Sequence, residues 1–177
     1  MKSKKFNVHR IAFLAVMLAL AILLGYVESF IPNWVPGVKP GLANLVVLIL
    51  LYTFPFYDAL LISLLRVFLV ALIRGSIFQL PFYLSLGGAI LSFVAMLSAK
   101  YCLRFLTVYG VSLLGAYAHG IGQLLVAAWI TETWSVFYYF PFISLISLAT
   151  GLATAFLADR LLKSAPIQHL RDETSIS

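Results

Sequence analysis

Long uninterrupted runs of apolar residues recur along this chain, and they constrain its fold more than any other feature. The run over residues 11–30 has the length of about 20 residues that a helix needs to cross the ~30 Å hydrocarbon core of a bilayer. A membrane β-barrel would instead show segments of about 10 residues with alternating polarity. Of the 177 residues, 63% are hydrophobic and only 10% are charged. The sequence therefore predicts an all-α integral membrane protein and argues against a soluble enzyme.

Six apolar segments fit the chain, with prolines and glycines at several of their boundaries. The second segment is short for a bilayer, so it requires tilting or extension by buried irregular backbone. A cleaved signal peptide is the alternative for the first segment, but the apolar run continues past Ala19, which favours an uncleaved anchor. The predicted helices span residues 11–30, 42–54, 58–73, 77–99, 108–130 and 134–162.

Basic residues gather at alternate ends of the six segments. If the N-terminus is cytoplasmic, the outer connections contain only Lys39 and Arg74, and nine other lysines and arginines fall on the inner side. This asymmetry follows the positive-inside rule and predicts that both termini are cytoplasmic. It also explains the net charge of +6 without a nucleic-acid partner. The predicted organisation is a basic cytoplasmic N-terminus (1–10), a six-helix transmembrane domain (11–162) and a polar cytoplasmic tail (163–177).

A few polar side chains lie within or beside the apolar segments. An ionisable group at mid-bilayer costs at least ~2.5–3.5 kcal/mol, so it needs a partner or a wet cavity. In the six-helix arrangement none of these groups faces the cytoplasm, which indicates a cavity that opens outward. The candidate substrate-binding residues are Asn44, Arg66, His119, Gln123, Glu28, Lys39 and Arg74.

Several of these residues have a purely structural alternative. Arg66 could pair with Glu28 or with backbone carbonyls. His119 and Gln123 could form a hydrogen-bonding pair between helices. The aromatic residues between positions 129 and 140 suit an interfacial belt, although part of them could wall an apolar ligand.

Small residues at helical spacing predict close contacts between helices. Those of the fifth and sixth segments are predicted to pack within the bundle. Those of the first segment fit either internal packing or the docking of a separate membrane subunit. The three stripes are Ser112, Ala116 and Gly120 with Gly115 and Gly122 nearby, then Ser147, Gly151 and Ala155, and finally Ala12, Ala15 and Ala19.

Several catalytic signatures are absent from the sequence. There is no GxxxxGK[ST] phosphate loop, no HExxH pattern and only one cysteine, Cys102. The six carboxylates do not cluster as they would in an enzyme that binds Mg²⁺–diphosphate. Paired histidines for haem are also missing, which weakens a redox-complex interpretation. The chain is therefore not expected to be an enzyme, and no metal site or cofactor is predicted.

Three stretches carry a resemblance to a known family: PGLANLVVLILLY (40–52), ALLISLLRVFL (59–69) and GAYAHGIGQLLVA (115–127). They resemble the bacterial Gx transporter family, whose members are labelled heptaprenyl diphosphate synthase component I. The resemblance covers about residues 6–162. That family is similar to the S components of energy-coupling factor (ECF) transporters, which are six-helix proteins of the cytoplasmic membrane with both termini inside.

The resemblance implies a bundle that captures a small micronutrient, or a quinone- or flavin-related ligand, in an outward-facing cavity. S components dock on a transmembrane coupling subunit that carries two ATPases, through an alanine pattern on the first helix. Ala15 and Ala19 match that pattern and Ala12 extends it. The family label implies an alternative, which is a non-catalytic membrane component associated with heptaprenyl diphosphate and menaquinone biosynthesis.

Overall fold

The computed structural model describes residues 8–30, 39–164 and 167, which contain six α-helices, one 3₁₀ helix and no strand. In this part of the chain every α-helix except α2 is long and apolar enough to cross a membrane, so the predicted all-α fold is confirmed and is consistent with a multi-pass membrane protein. The N-terminal lysines, the Pro/Gly-rich stretch 31–38 and most of the tail lie outside the described residues. The helices are α1 (Val8–Glu28), α2 (Asn44–Thr53), α3 (Phe56–Ile73), α4 (Leu80–Cys102), α5 (Val108–Thr131), the 3₁₀ helix (Trp134–Tyr139) and α6 (Phe140–Leu162).

The short helix α2 lies at the centre of the bundle and contacts all five other helices. It has 10 residues, so it is ~15 Å long, about half the thickness of the hydrocarbon core. Its sequence is apolar on every side, and nearly all of its residues are buried. A helix that is hydrophobic all round belongs in an interior, which explains how so short a helix is accommodated without lipid contact.

Small residues bring α4, α5 and α6 into close contact. Gly120 of α5 faces Ile143 and Ser147 of α6, and the Ser112 hydroxyl donates a 2.8 Å hydrogen bond to the carbonyl of Gly151. The predicted internal packing of the stripes on the fifth and sixth segments is therefore confirmed. The matching positions on α4, where Gly87 and Gly88 lie against α5, were not predicted from the sequence.

Helix α1 packs on its neighbours through one face only. Met17, Ala21 and Glu28 of that face are buried, whereas Ala12, Ala15 and Ala19 are exposed. The internal-packing alternative for these three alanines is therefore wrong. Their face also contains exposed larger side chains such as Val16 and is available for lipid or for another protein.

Two prolines set helix starts that differ from the predicted ones. The fourth segment is predicted from residue 77, but α4 begins at Leu80 with Pro81 in its first turn. The sixth segment was predicted from residue 134, yet residues Trp134–Tyr139 form a 3₁₀ helix and α6 begins at Phe140, just before Pro141. Both differences have one cause, because the missing N–H of proline is harmless only in the first turn of a helix.

Polar contacts define two ends of the bundle. The start of α1 joins the start of α3 through an ion pair of 2.6 Å between Arg10 and Asp58. The Lys100 ammonium near the end of α4 donates to the carbonyl of Leu51 near the end of α2. We call this the Arg10 end and the opposite one the Glu28 end. Successive α-helices therefore run in alternating directions between the two ends.

Candidate ligand-binding site

A cavity lies at the Glu28 end between α1, α3, α4, α5 and the residues that precede α2. It contains about 400 Å³ of empty space, part of which is open to the surroundings. The polar lining residues are Glu28, Lys39, Arg66, Ser76, Ser85 and His119, and the others are Gly25, Val67, Val70, Ala71, Pro81 and Phe82.

Arg66 reaches the cavity from the buried face of α3. It lies one turn from Ile62 and one turn from Val70, and all three side chains are buried. Gly25 of α1 lies opposite, and a β-carbon there would be 3.8 Å from the Arg66 side chain and 3.2 Å from Val70. The small size of Gly25 therefore leaves room for the arginine between α1 and α3.

Glu28 is the last residue of α1, and its side chain binds the backbone at the start of α2. Its Oε1 accepts a hydrogen bond of 3.2 Å from the backbone N–H of Ala43, the residue that precedes α2 and has no side-chain cap of its own. A carboxylate is favourable at a helix N-terminus, where backbone N–H groups lack partners. Glu28 is 1% exposed, so its position is set by this contact rather than by solvent.

The alternative that Arg66 forms a direct ion pair with Glu28 is wrong. Among the described residues the only ion pairs are Arg10–Asp58 and Lys163–Asp159. The Nε atom of Arg66 is buried and has no hydrogen-bond partner in that part of the chain. The guanidinium thus reaches the cavity without a bound counter-ion.

Gln123 on α5 holds the backbone of Lys39. Its Oε1 accepts from the N–H of Lys39 at 2.9 Å, and its Nε2 donates to the carbonyl of the same residue at 3.2 Å. These two bonds fix the orientation of the amide, so Nε2 is also the donor in the 2.6 Å contact with Nε2 of His119. His119 and Gln123 therefore form a hydrogen-bonded pair within α5. The structural alternative, a pair between two helices, is wrong.

The side chain of Lys39 reaches across the cavity to α4. Its Nζ donates to the Ser85 hydroxyl at 2.9 Å. Burial lowers the pKa of Lys39 to about 8, with Arg66 and Arg74 acting in the same direction and Glu28 opposing them. A large fraction of this group is therefore charged at neutral pH, and it loses its proton at mildly alkaline pH.

Asn44 lies beside the cavity, near His119. Both atoms of its side-chain amide are buried and have no hydrogen-bond partner among the described residues. Gly41 lies between the two side chains and has a φ of +87°. A β-carbon on this residue would lie 3.1 Å from both Asn44 Nδ2 and His119 Cδ2. Backbone conformation and space thus both require glycine at this position.

The remaining candidates lie away from the cavity. Arg74 is exposed after the end of α3 and does not line the cavity, although it contributes to the charge around Lys39. Trp129, Trp134 and Tyr138 are exposed as well, so they suit a belt rather than a cavity wall. The aromatic side chain in the cavity is Phe82 of α4.

Ser85 and Phe82 of α4 line the cavity but were not predicted from the sequence. Ser85, Gly88 and Ser92 recur there at three- and four-residue intervals, and all are buried. This spacing of small residues was the feature of the sequence that could have identified Ser85. Among the described residues no group of three histidines, cysteines or carboxylates could hold a metal ion.

Replacing Gln123 by leucine is expected to loosen the residues that precede α2. The substitution leaves the Lys39 backbone and His119 without their partner, and each stranded buried polar group costs ~1–3 kcal/mol. We expect a lower melting temperature and faster amide exchange over residues 39–43. Gln79→Leu is the control, since the side chain of this exposed glutamine donates to the carbonyl of Gly75, away from the residues that precede α2. Equal exchange in both variants would contradict the role assigned to Gln123.

Comparison with known proteins identifies the family. The family described as Heptaprenyl diphosphate synthase component I matches residues 17–161, which cover α2 to α5 and most of α1 and α6. No curated protein and no solved structure matches the chain. The matched range contains the cavity and every residue that lines it. The chain belongs to the heptaprenyl diphosphate synthase component I family.

Proposed function

We propose that this protein is the substrate-binding membrane subunit of an ECF-type transporter and captures a small micronutrient, or a quinone- or flavin-related molecule, in the cavity at the Glu28 end. The observation that carries the proposal is the cavity itself, because some buried polar atoms in it or beside it have no hydrogen-bond partner among the described residues. Polar groups inside a membrane protein are costly and typically mark a substrate pathway. The Nε of Arg66 and the amide of Asn44 are such groups.

The proposed orientation places the Glu28 end outside the cell. Six crossings with both termini in the cytoplasm put the Arg10 end, with Lys100 and Lys163 near it, on the inner side, in agreement with the positive-inside rule. The short helix α2 is then enclosed by the other five helices within the membrane. In this arrangement the cavity receives its ligand from outside the cytoplasmic membrane.

The exposed alanines of α1 support a docking role. Ala12, Ala15 and Ala19 form a strip of small side chains that no other described residue covers. Such strips allow helices to approach closely in lipid. We propose that a transmembrane coupling subunit with two ATPases docks there and supplies the energy, since the sequence contains no phosphate-binding loop.

A transport assay with matched variants tests this function. The purified chain is expected to retain one small molecule without ATP, which mass spectrometry identifies, and cells are expected to take it up only with coupling ATPases present. Ala15→Trp should abolish uptake and preserve binding, because it blocks the docking strip. Leu61→Trp on the exposed face of α3 is the control and should preserve both. Full uptake in cells that lack every coupling ATPase would refute the proposal.

A second candidate function follows from the family description. A membrane component of a heptaprenyl diphosphate synthase could hold a diphosphate headgroup near Arg66 and Lys39 while a separate subunit performs catalysis. This function predicts co-purification with a soluble synthase and an altered product length. A synthase whose products are the same with and without this chain would eliminate it.

A further inference from the structure

The charge balance around the cavity is incomplete without a ligand. Four carboxylates lie in the described part of the chain, and none is within ion-pair distance of Arg66. Asp58 and Asp159 have basic partners of their own, Glu132 is exposed after α5, and Glu28 binds the start of α2. Arg66 is 4% exposed and has no described carboxylate in direct contact, although the charge of Glu28 acts on it across the cavity.

A second cation shares the cavity. The Nζ of Lys39 contacts the neutral hydroxyl of Ser85 rather than a carboxylate. A guanidinium stays charged at any physiological pH, and a buried unpaired charge is expensive. Arg66 and Lys39 together outnumber Glu28, so the polar side of the cavity has an excess of positive charge. This side can accept at least one negative charge.

The other side of the cavity is apolar. Val67, Val70 and Ala71 of α3 face it together with Pro81 and Phe82 of α4. An inorganic ion would leave this surface in contact with water. A molecule with an apolar body would bury it and gain ~25 cal/mol for each Å² removed from water.

We infer that the cavity binds a small amphipathic organic anion, with one carboxylate or phosphate group between Arg66 and Lys39 and an apolar body against Val70 and Phe82. The inference rests on the proposed function of this cavity as a ligand site. The planar fork of an arginine binds carboxylate and phosphate equally well in a two-point contact. The shared chemistry is therefore an oxyanion on a compact apolar molecule.

Model compounds test the inference on the purified full-length chain in detergent. Benzoate and phenyl phosphate provide the two oxyanions on one apolar body, benzyl alcohol is the neutral analogue, and inorganic phosphate lacks the body. Benzoate, phenyl phosphate or both should raise the melting temperature in a saturable manner. Benzyl alcohol and inorganic phosphate should raise it much less. Equal shifts with the alcohol, or no shift with either aromatic anion, would overturn the inference.

Three variants locate the oxyanion. Arg66→Gln is expected to weaken binding of the active probe at least ~30-fold, since truncating one partner of a buried charge pair costs ~2–5 kcal/mol. Lys39→Gln should weaken it as well, and it provides a second test if Arg66→Gln does not fold. Arg104→Gln removes an exposed positive charge after α4 at the Arg10 end and should bind as the wild type does. Unchanged affinity in a folded Arg66→Gln or Lys39→Gln protein would also overturn the inference.

The pH profile separates Lys39 from its neighbours. Because the pKa of Lys39 is about 8, the affinity for benzoate should fall as the pH rises through about 8. Benzoate and the guanidinium of Arg66 keep their charges across this range. Glu28 and His119 also line the cavity, and the Lys39→Gln variant separates their contribution from that of Lys39. The decline should be absent from Lys39→Gln, and a decline that persists there would contradict the assignment.

These outcomes distinguish the ligand class from the transport function. Binding of the model compounds requires neither ATP nor a coupling subunit. Failure of the anions to bind, together with ATPase-dependent uptake in cells, would overturn the ligand class and leave the transporter proposal in place. Binding of the anions, together with uptake that is independent of ATPases, would overturn the transporter proposal and leave the ligand class in place.

Discussion

Arg66→Met is expected to abolish anion binding and to leave the free energy of unfolding of the ligand-free protein unchanged or higher. Arg66 has no ion pair with a described residue, and its buried Nε has no hydrogen-bond partner there. Replacement of buried ionic groups by apolar residues of similar size is often neutral or stabilising by ~1–4 kcal/mol. Methionine fills much of the same space with flexible apolar atoms. Thermal and denaturant unfolding without ligand measure the stability, and the benzoate and phenyl phosphate titrations measure the binding.

A large decrease in the free energy of unfolding of Arg66→Met would instead show that Arg66 has a structural role. If Arg66 and Glu28 stabilised each other as an intimate pair, removal of the arginine would leave an uncompensated buried carboxylate and cost ~3–5 kcal/mol. Arg104→Met is the control for the change of residue type, because it removes an exposed arginine at the other end of the bundle. A strong loss of stability confined to Arg66→Met would therefore contradict our description of this site.

Gly122→Ala is expected to be strongly destabilising, because a β-carbon there would meet the backbone of α4. A β-carbon at Gly122 would lie 2.6 Å from the carbonyl oxygen of Gly87 and 3.0 Å from Cα of Gly88. These are backbone atoms, so the clash cannot be relieved by a rotamer change and α4 must move away from α5. Overpacking typically costs ~1–3 kcal/mol, and we expect a value near 3 kcal/mol at this position. Denaturant unfolding in detergent measures it.

Gly110→Ala is a matched control because it makes the same change in the same helix. Its β-carbon would approach Leu106, whose half-buried side chain can turn away. A glycine within a helix is otherwise destabilising by ~0.5–1 kcal/mol relative to alanine, so the control should be neutral or slightly stabilising. A comparable loss in both variants would show that helix geometry, and not the contact between α4 and α5, limits stability.

The spans were predictable because the bilayer acts as a uniform apolar solvent. Hydropathy alone separates residues 56–73 or 108–131 from their connections, and the positions of Arg66 and His119 within them stand out at once. It was harder to predict which face of each helix contacts the rest of the protein. Lipid is as apolar as leucine, so an apolar side chain does not reveal whether it faces lipid or protein. Small residues revealed the contacts of α5 and α6, but Ala15 and Ala19 belong to a similar stripe and are exposed.

The sequence by itself determined that this is a helical membrane protein and which few polar residues must be explained, because each polar group in an apolar segment carries a large cost. Only the tertiary structure decided what those groups contact. It assigned Glu28 to the N–H groups at the start of α2, Gln123 to the backbone of Lys39, and Arg66 to the cavity. These contacts join residues 15 and 84 positions apart in the first two cases. Such pairings depend on how the helices are arranged in space, which the hydropathy of each segment does not encode.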